Sequence, residues 1–174
     1  NIGPAFASLS SAYPFNPENP AFDSNTPARL RMTTLYGMSH QIPDSLVINT
    51  CNLSEDSVGY STFYGDSAGD FAPIRYYTVT EILAMGDYLG LSKNLIHKSP
   101  DDGMCGMSDE AKLSRELGMK FTYEKLDRLL RDNEDAFPTE KFTSEEKDKI
   151  FDKMKRTSYK ISIINIPGVK PILG

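Results

Sequence analysis

The hydrophobic positions of this 174-residue chain fall into short blocks separated by polar, Gly- and Pro-punctuated stretches. Ala28, Met32, Leu35, Tyr36 and Ser39 stand at i, i+4, i+7, i+8 and i+11, one face of a helix ending near residues 37–40. Thr26 followed by Pro27 reads as its start, a hydroxyl cap and then a proline at the first helical position. Leu46, Val47 and Ile48 form a brief apolar run bounded by polar residues, which predicts a buried strand. Thr78-Val79-Thr80-Glu81 is a capping box, Ile82, Leu83 and Leu89 supply the apolar face behind it, and Gly90 suits the C-terminal cap. A short helical turn is expected over 92–97. Thr122 caps a helix with Tyr123, Leu126, Leu129 and Leu130 on one side, and Thr143-Ser144-Glu145-Glu146 starts another that buries Ile150 and Met154. The charges at 147–149 and 153–156 read as that helix's solvated face. Ile161, Ile163, Ile164 and Ile166, ahead of Pro167-Gly168, predict a terminal extended segment. Residues 1–27 hold five prolines and predict irregular structure, with at most a helical turn around 6–12.

One stretch has no periodicity. Residues 49–73 pack Glu55, Asp66 and Asp70, four aromatics and many small hydroxyl and Gly residues into a run that is poor core material. It directly follows the expected strand, and the active ends of open α/β sheets lie past the carboxyl ends of their strands. Turn chemistry alone also enriches such loops in Ser, Asp and Gly. Residues 98–107 form a second Pro/Gly-interrupted loop, either a plain connector or a lid.

Composition narrows the partners. A chain with 39% hydrophobic and 25% charged residues suits one globular domain. Its net charge of -5 argues against nucleic acid as the main partner. No apolar run approaches membrane-spanning length and no signal-peptide pattern opens the chain, so neither a membrane partner nor secretion is expected. Cys51 and Cys105 make no C-x-x-C or Cys/His metal spacing, which suits a reduced, cytoplasmic protein.

Several phrases resemble the ammonia-dependent NAD synthetase family. Asn49-Thr50-Cys51-Asn52-Leu53-Ser54-Glu55 is similar to its G-T-x-N-x-S-E segment, and residues 58–73 to its V-G-Y-x-T-x-Y-G-D-x-x-x-D-x-x-P segment. Ala28-Arg29-Leu30-Arg31-Met32 matches A-R-x-R-M, Ser108-Asp109-Glu110 with Leu117-Gly118 resembles its lid-to-helix pattern, and residues 121–127 match F-T-Y-x-x-L-D. The resemblance implies an α/β fold, a Rossmann-related layer of the adenine nucleotide alpha hydrolase-like (N-type ATP pyrophosphatase) kind. Only the family's C-terminal two-thirds or so is represented. Its Ser-Gly-Gly-x-Asp-Ser loop does not occur in these residues, Phe63 and Val79 stand where basic residues are usual, and Asp101 replaces a Ser or Thr that meets ATP. The expected organisation is one partial domain, with an irregular segment at 1–27, a core at 28–135, and a C-terminal helix and tail at 136–174.

The reaction so implied is ATP-dependent amidation of deamido-NAD by ammonia, giving NAD, AMP and pyrophosphate. The resemblance assigns Asp66 as catalytic, Arg29, Asp70, Tyr36 and Lys160 as deamido-NAD contacts, Thr50 and Asp101 as ATP contacts, and Glu55 as a Mg2+ ligand. It also implies a homodimer. Residue chemistry agrees in part. An Arg29 in the first helical turn opposes the dipole by roughly 0.3–1 kcal/mol unless an anion is near, and Mg2+ takes one or two carboxylates plus phosphates. A desolvated carboxylate can hold ammonium and accept its proton. The alternatives are a non-catalytic dinucleotide-binding or dimerisation module, and another ATP pyrophosphatase-type amidotransferase.

Overall fold

A computed structural model of the chain describes residues 1–13, 19–100, 106–133 and 141–161. Eight α-helices occur among them: α1 Gly3–Ala12, α2 Pro20–Ser39, α3 Leu53–Val58, α4 Val79–Tyr88, α5 Lys93–Ile96, α6 Asp109–Leu117, α7 Tyr123–Leu130 and α8 Ser144–Thr157. A 3-10 turn over Ser158–Lys160 follows α8. No helix among the described residues is long and apolar enough to cross a membrane.

The capping signals place most of these helices. Thr78, Thr122 and Thr143 each accept a bond from the backbone N–H three residues on, and Glu81 and Glu146 complete capping boxes with Thr78 and Thr143. Gly118 ends α6 in the left-handed conformation, where a residue with a Cβ would be strained. The apolar faces so created meet in one cluster: Val58 of α3, Leu113 and Leu117 of α6, Phe121, Tyr123 and Leu126 around α7, Phe142, and Ile150 of α8.

Four expectations need correction. The helix starting at Thr26-Pro27 begins seven residues earlier, because Asn19 caps it by accepting from Ala21 N–H at 3.0 Å and Pro20 occupies the first helical position. Pro27 therefore lies inside α2, and Arg29 is far from its positive end, so the dipole argument for Arg29 does not apply. Residues 6–12 belong to a full helix rather than a turn, and Phe6 stacks on Phe22 at 5.5 Å to hold α1 against α2. The run 46–48 is not a buried strand. Val47 is buried, but Leu46 and Ile48 are 64% and 52% exposed, and the pairing is one parallel bridge between Ile48 and Phe71. That bridge is held by Asn49 N–H to Phe71 O at 2.8 Å and Asp70 N–H to Val47 O at 2.7 Å. Finally, Lys153 is no part of a solvated face. It sits three positions after Ile150, is buried, and its Nζ donates to Glu116 Oε1 at 2.6 Å.

The lid-like part of the second loop at 101–105, with Asp101 and Cys105, and the terminal extended segment beyond Ile161 lie outside the described residues.

Candidate active site

The acidic loop closes on a cleft of about 820 Å³ whose walls come from α2, the segment 48–68, α6 and the end of α8. Glu55 enters it through a local constraint. Asn52 caps α3 by accepting from Glu55 N–H at 3.0 Å, and Glu55 Oε2 accepts Asn52 N–H at 3.1 Å, so the capping box fixes the carboxylate at the cleft wall. Burial pushes the Glu55 carboxyl up to about 7. The Asn52 N–H opposes that rise, and repulsion from Asp109, Asp56 and Asp66 adds to it.

Asn49 organises the rest of the loop. Buried next to the bridge, its Nδ2 donates to Asp66 O at 3.0 Å and Ala68 O at 3.2 Å, while its Oδ1 accepts Cys51 N–H at 2.8 Å. Gly69 backs directly onto it, and a Cβ there would come within 2.6 Å of Asn49. The chain from Thr62 to Asp66 then turns so that the Asp66 carboxylate accepts Thr62 N–H at 2.9 Å and lines the cleft. Cys51 lies behind it, with Sγ donating to Asp66 O at 3.4 Å. Burial first, and then Glu55, Asp56 and Asp66, push its thiol up to about 12.

Of the residues singled out from the sequence, Thr50, Glu55, Asp66 and Lys160 line this one cleft. Lys160 reaches it from the 3-10 turn, with Nζ donating to Gly59 O at 2.7 Å and Ser61 O at 2.8 Å. Burial, with Lys153 nearby, lowers its pKa. Arg29, Tyr36 and Asp70 are not among the cleft-lining residues. Arg29 Nε donates to Phe63 O at 3.1 Å, and Asp70 accepts Val47 N–H at 2.7 Å and Tyr36 OH at 3.4 Å, so these three brace the loop from outside.

The cleft also holds residues that motif reading did not select, including Arg31, Asp109, Lys112, Glu116 and Lys153. Arg31 and Asp109 stood inside quoted motifs, and Lys153 shares a helical face with Ile150 and Met154. For Lys112 and Glu116 the sequence carried no signal. The resulting wall carries both signs of charge, with Arg31, Lys112, Lys153 and Lys160 beside Glu55, Asp66, Asp109 and Glu116. Among the described residues no three His, Cys, Asp or Glu side chains form a metal cage. A hard divalent cation held by one carboxylate and a ligand's phosphates needs no such cage, and Glu55, a carboxylate fixed at the cleft wall by its capping box, fits that donor set.

Comparison with known proteins agrees in one direction. A family model described as NAD synthase matches residues 1–163. The NH(3)-dependent NAD(+) synthetase of Alkaliphilus metalliredigens is 39% identical over 113 residues, 64% of this chain and 43% of that protein. That of Carboxydothermus hydrogenoformans is 39% identical over 125 residues, 71% of this chain and 48% of that protein. The chain thus spans less than half the length of these relatives. Among solved structures, NMN synthetase from Francisella tularensis superimposes on 97% of this chain and 65% of its own, with a TM-score of 0.78 and 29% identity. NH3-dependent NAD synthetase from Campylobacter jejuni, in complex with the nitrate ion, covers 95% of this chain and 63% of its own, with a TM-score of 0.68 and 27% identity.

Proposed function

This chain belongs to the NAD synthase family, and from that premise we propose that it carries part of the machinery for ATP-dependent amidation of deamido-NAD by ammonia, releasing NAD, AMP and pyrophosphate. The observation that supports this reading best is that Glu55 and Asp66, fixed by two independent hydrogen-bonded turns, open onto the same cleft as Thr50.

A carboxylate is a poor electrophile, so the nicotinate carboxylate is first joined to AMP with loss of pyrophosphate. Ammonia then attacks the activated carbonyl and AMP departs. Asp66 attracts ammonium into the cleft and takes one of its protons, leaving the nucleophilic lone pair. Thr50 and Asp101 meet ATP, and Glu55 holds Mg2+, which when bound neutralises phosphate charge. Arg29, Asp70 and Tyr36 contact the dinucleotide at the outer side of the loop. Lys160 contributes the third N–H of its ammonium, the other two being used on Gly59 and Ser61 carbonyls. The bridge between Ile48 and Phe71 is one rung of the parallel sheet of an adenine nucleotide alpha hydrolase-like layer, and the assembled enzyme is a homodimer.

The first experiment assays the full-length protein with ammonia, ATP and deamido-NAD, alongside Asp66→Asn, whose amide cannot accept the proton. The variant should lose about 10²–10⁴-fold in kcat, and activity within threefold of the wild type removes Asp66 from the reaction. Similarity in fold to an NMN synthetase, at a TM-score of 0.78, adds nicotinate mononucleotide as a second acceptor to test, with the same chemistry. Both acceptors belong in the assay, and the ratio of their kcat/KM decides between them.

A further inference from the structure

The turn that brings Lys160 to the cleft is short. It is one 3-10 turn after α8, closed by Ile161 N–H to Ser158 O at 3.3 Å. Such turns have poor hydrogen-bond geometry, and the last carbonyls of a helix find no partner within it. One of those carbonyls is taken by a residue 86 positions earlier in the chain, since Arg75 Nη2 donates to Ile161 O at 3.0 Å. The same guanidinium places its Nε 3.1 Å from Asp56 Oδ2. Asp56 lies in α3 with its side chain only 10% exposed, so its charge requires a partner, and the ion pair fixes the direction in which Arg75 reaches.

Arg75 is not among the cleft-lining residues, yet it holds the neighbour of one on each side: Asp56 follows Glu55, and Ile161 follows Lys160. A guanidinium presents its donors in a rigid planar fork, so the pair with Asp56 also orients the Nη2 that meets Ile161. A lysine side chain is a flexible four-carbon stem. The bonds from Lys160 Nζ to the Gly59 and Ser61 carbonyls hold the tip of that stem, and Arg75 holds the backbone at its base. We propose that Arg75 is a positioning residue, which ties the Lys160 turn to α3 and so keeps the lysine that meets the dinucleotide in register with the carboxylate wall at Glu55. The inference rests on the reading of Lys160 as a dinucleotide contact, and the two can fail separately.

The test measures KM for deamido-NAD and for ATP, at saturating ammonia, in the full-length wild type, Lys160→Met, Asp56→Asn and the double variant Arg75→Met/Asp56→Asn. The double variant replaces Arg75→Met alone, which would leave a buried carboxylate unpaired and endanger folding. Lys160→Met loses a charge-assisted bond and should raise the deamido-NAD KM by about tenfold or more. Asp56→Asn keeps an acceptor for Arg75 Nε and should leave both KM values within about twofold of the wild type. The double variant should raise the deamido-NAD KM at least about fivefold and leave the ATP KM within about twofold. A deamido-NAD KM unchanged in the double variant overturns the inference, and leaves the Lys160 reading standing where Lys160→Met has raised it. Both KM values rising together in the double variant would mark a general loosening of the cleft, and the full effect already in Asp56→Asn would mark a charge effect; either overturns it. An unchanged deamido-NAD KM in Lys160→Met removes both readings, and a wild type that forms no NAD removes the amidation reading and the inference with it.

Discussion

Glu55 is held by its own helix cap and penalised by its surroundings. Its carboxyl is raised from 4.5 to about 7, burial being the largest cause. The folded state therefore binds this proton more tightly than the unfolded chain. The corresponding stability is fully present below about pH 4.5, declines as pH rises, and is gone above about 7. The shift corresponds to something on the order of 3 kcal/mol. Asp56 and Asp127 are also raised by burial, so the useful quantity is the difference between wild type and Glu55→Gln. We expect the variant to gain stability relative to the wild type across pH 4.5–7 and to remain ahead at pH 8 without magnesium, as measured by thermal melts at stepped pH. Parallel curves would contradict the burial of this carboxylate. Asn49 was quoted as part of a motif, yet its function as the clamp on Asp66 and Ala68 came from residues 17 and 19 positions away, a distance at which sequence pattern carries no information.

At the scale of elements, Asp127 is the junction. Its Oδ1 accepts Ser54 Oγ at 2.5 Å and its Oδ2 accepts Thr80 N–H at 2.8 Å, while Ser54 Oγ accepts Val79 N–H at 2.9 Å. The starts of α3 and α4 are thereby pinned to α7, with Asp127 and Ser54 both buried. Asp127→Ala leaves those donors without acceptors and should cost about 2–4 kcal/mol in urea unfolding. A loss under 0.5 kcal/mol would mean that the junction is dispensable. Helix starts were legible where one capping signal stood alone, as at Thr78, Thr122 and Thr143. They were misread where two stood in series, because Asn19-Pro20 and Thr26-Pro27 obey the same grammar. The earlier signal wins, since stacking of Phe6 on Phe22 and an extra two turns of α2 outweigh the one backbone bond that Pro27 cannot make.

Across the whole molecule, the cleft depends on α8 and its 3-10 turn packing on the end of α3. Gly59 makes this possible. It caps α3 at φ +62, and a Cβ there would meet Thr157 at 2.2 Å, while its carbonyl receives Lys160. Gly59→Ala should cost about 2–4 kcal/mol, part backbone strain and part overlap. A second change, Thr157→Gly, should recover the overlap part alone; full recovery would contradict the strain, and no loss at all would contradict the docking. Amphipathic spacing, caps and motif phrases sufficed for α4 to α8 in outline, for the family resemblance, and for grouping Thr50, Glu55 and Asp66, which line one cleft, because these follow from interactions within a few positions or from phrases carried intact. The burial of Lys153, the separation of Arg29, Tyr36 and Asp70 from the cleft, the exposure of Leu46 and Ile48, and the tie between Arg75 and Ile161 were decided only by tertiary structure. Each depends on what a distant part of the chain places alongside, and burial and hydrogen-bond partnership are properties of that neighbourhood rather than of the residue.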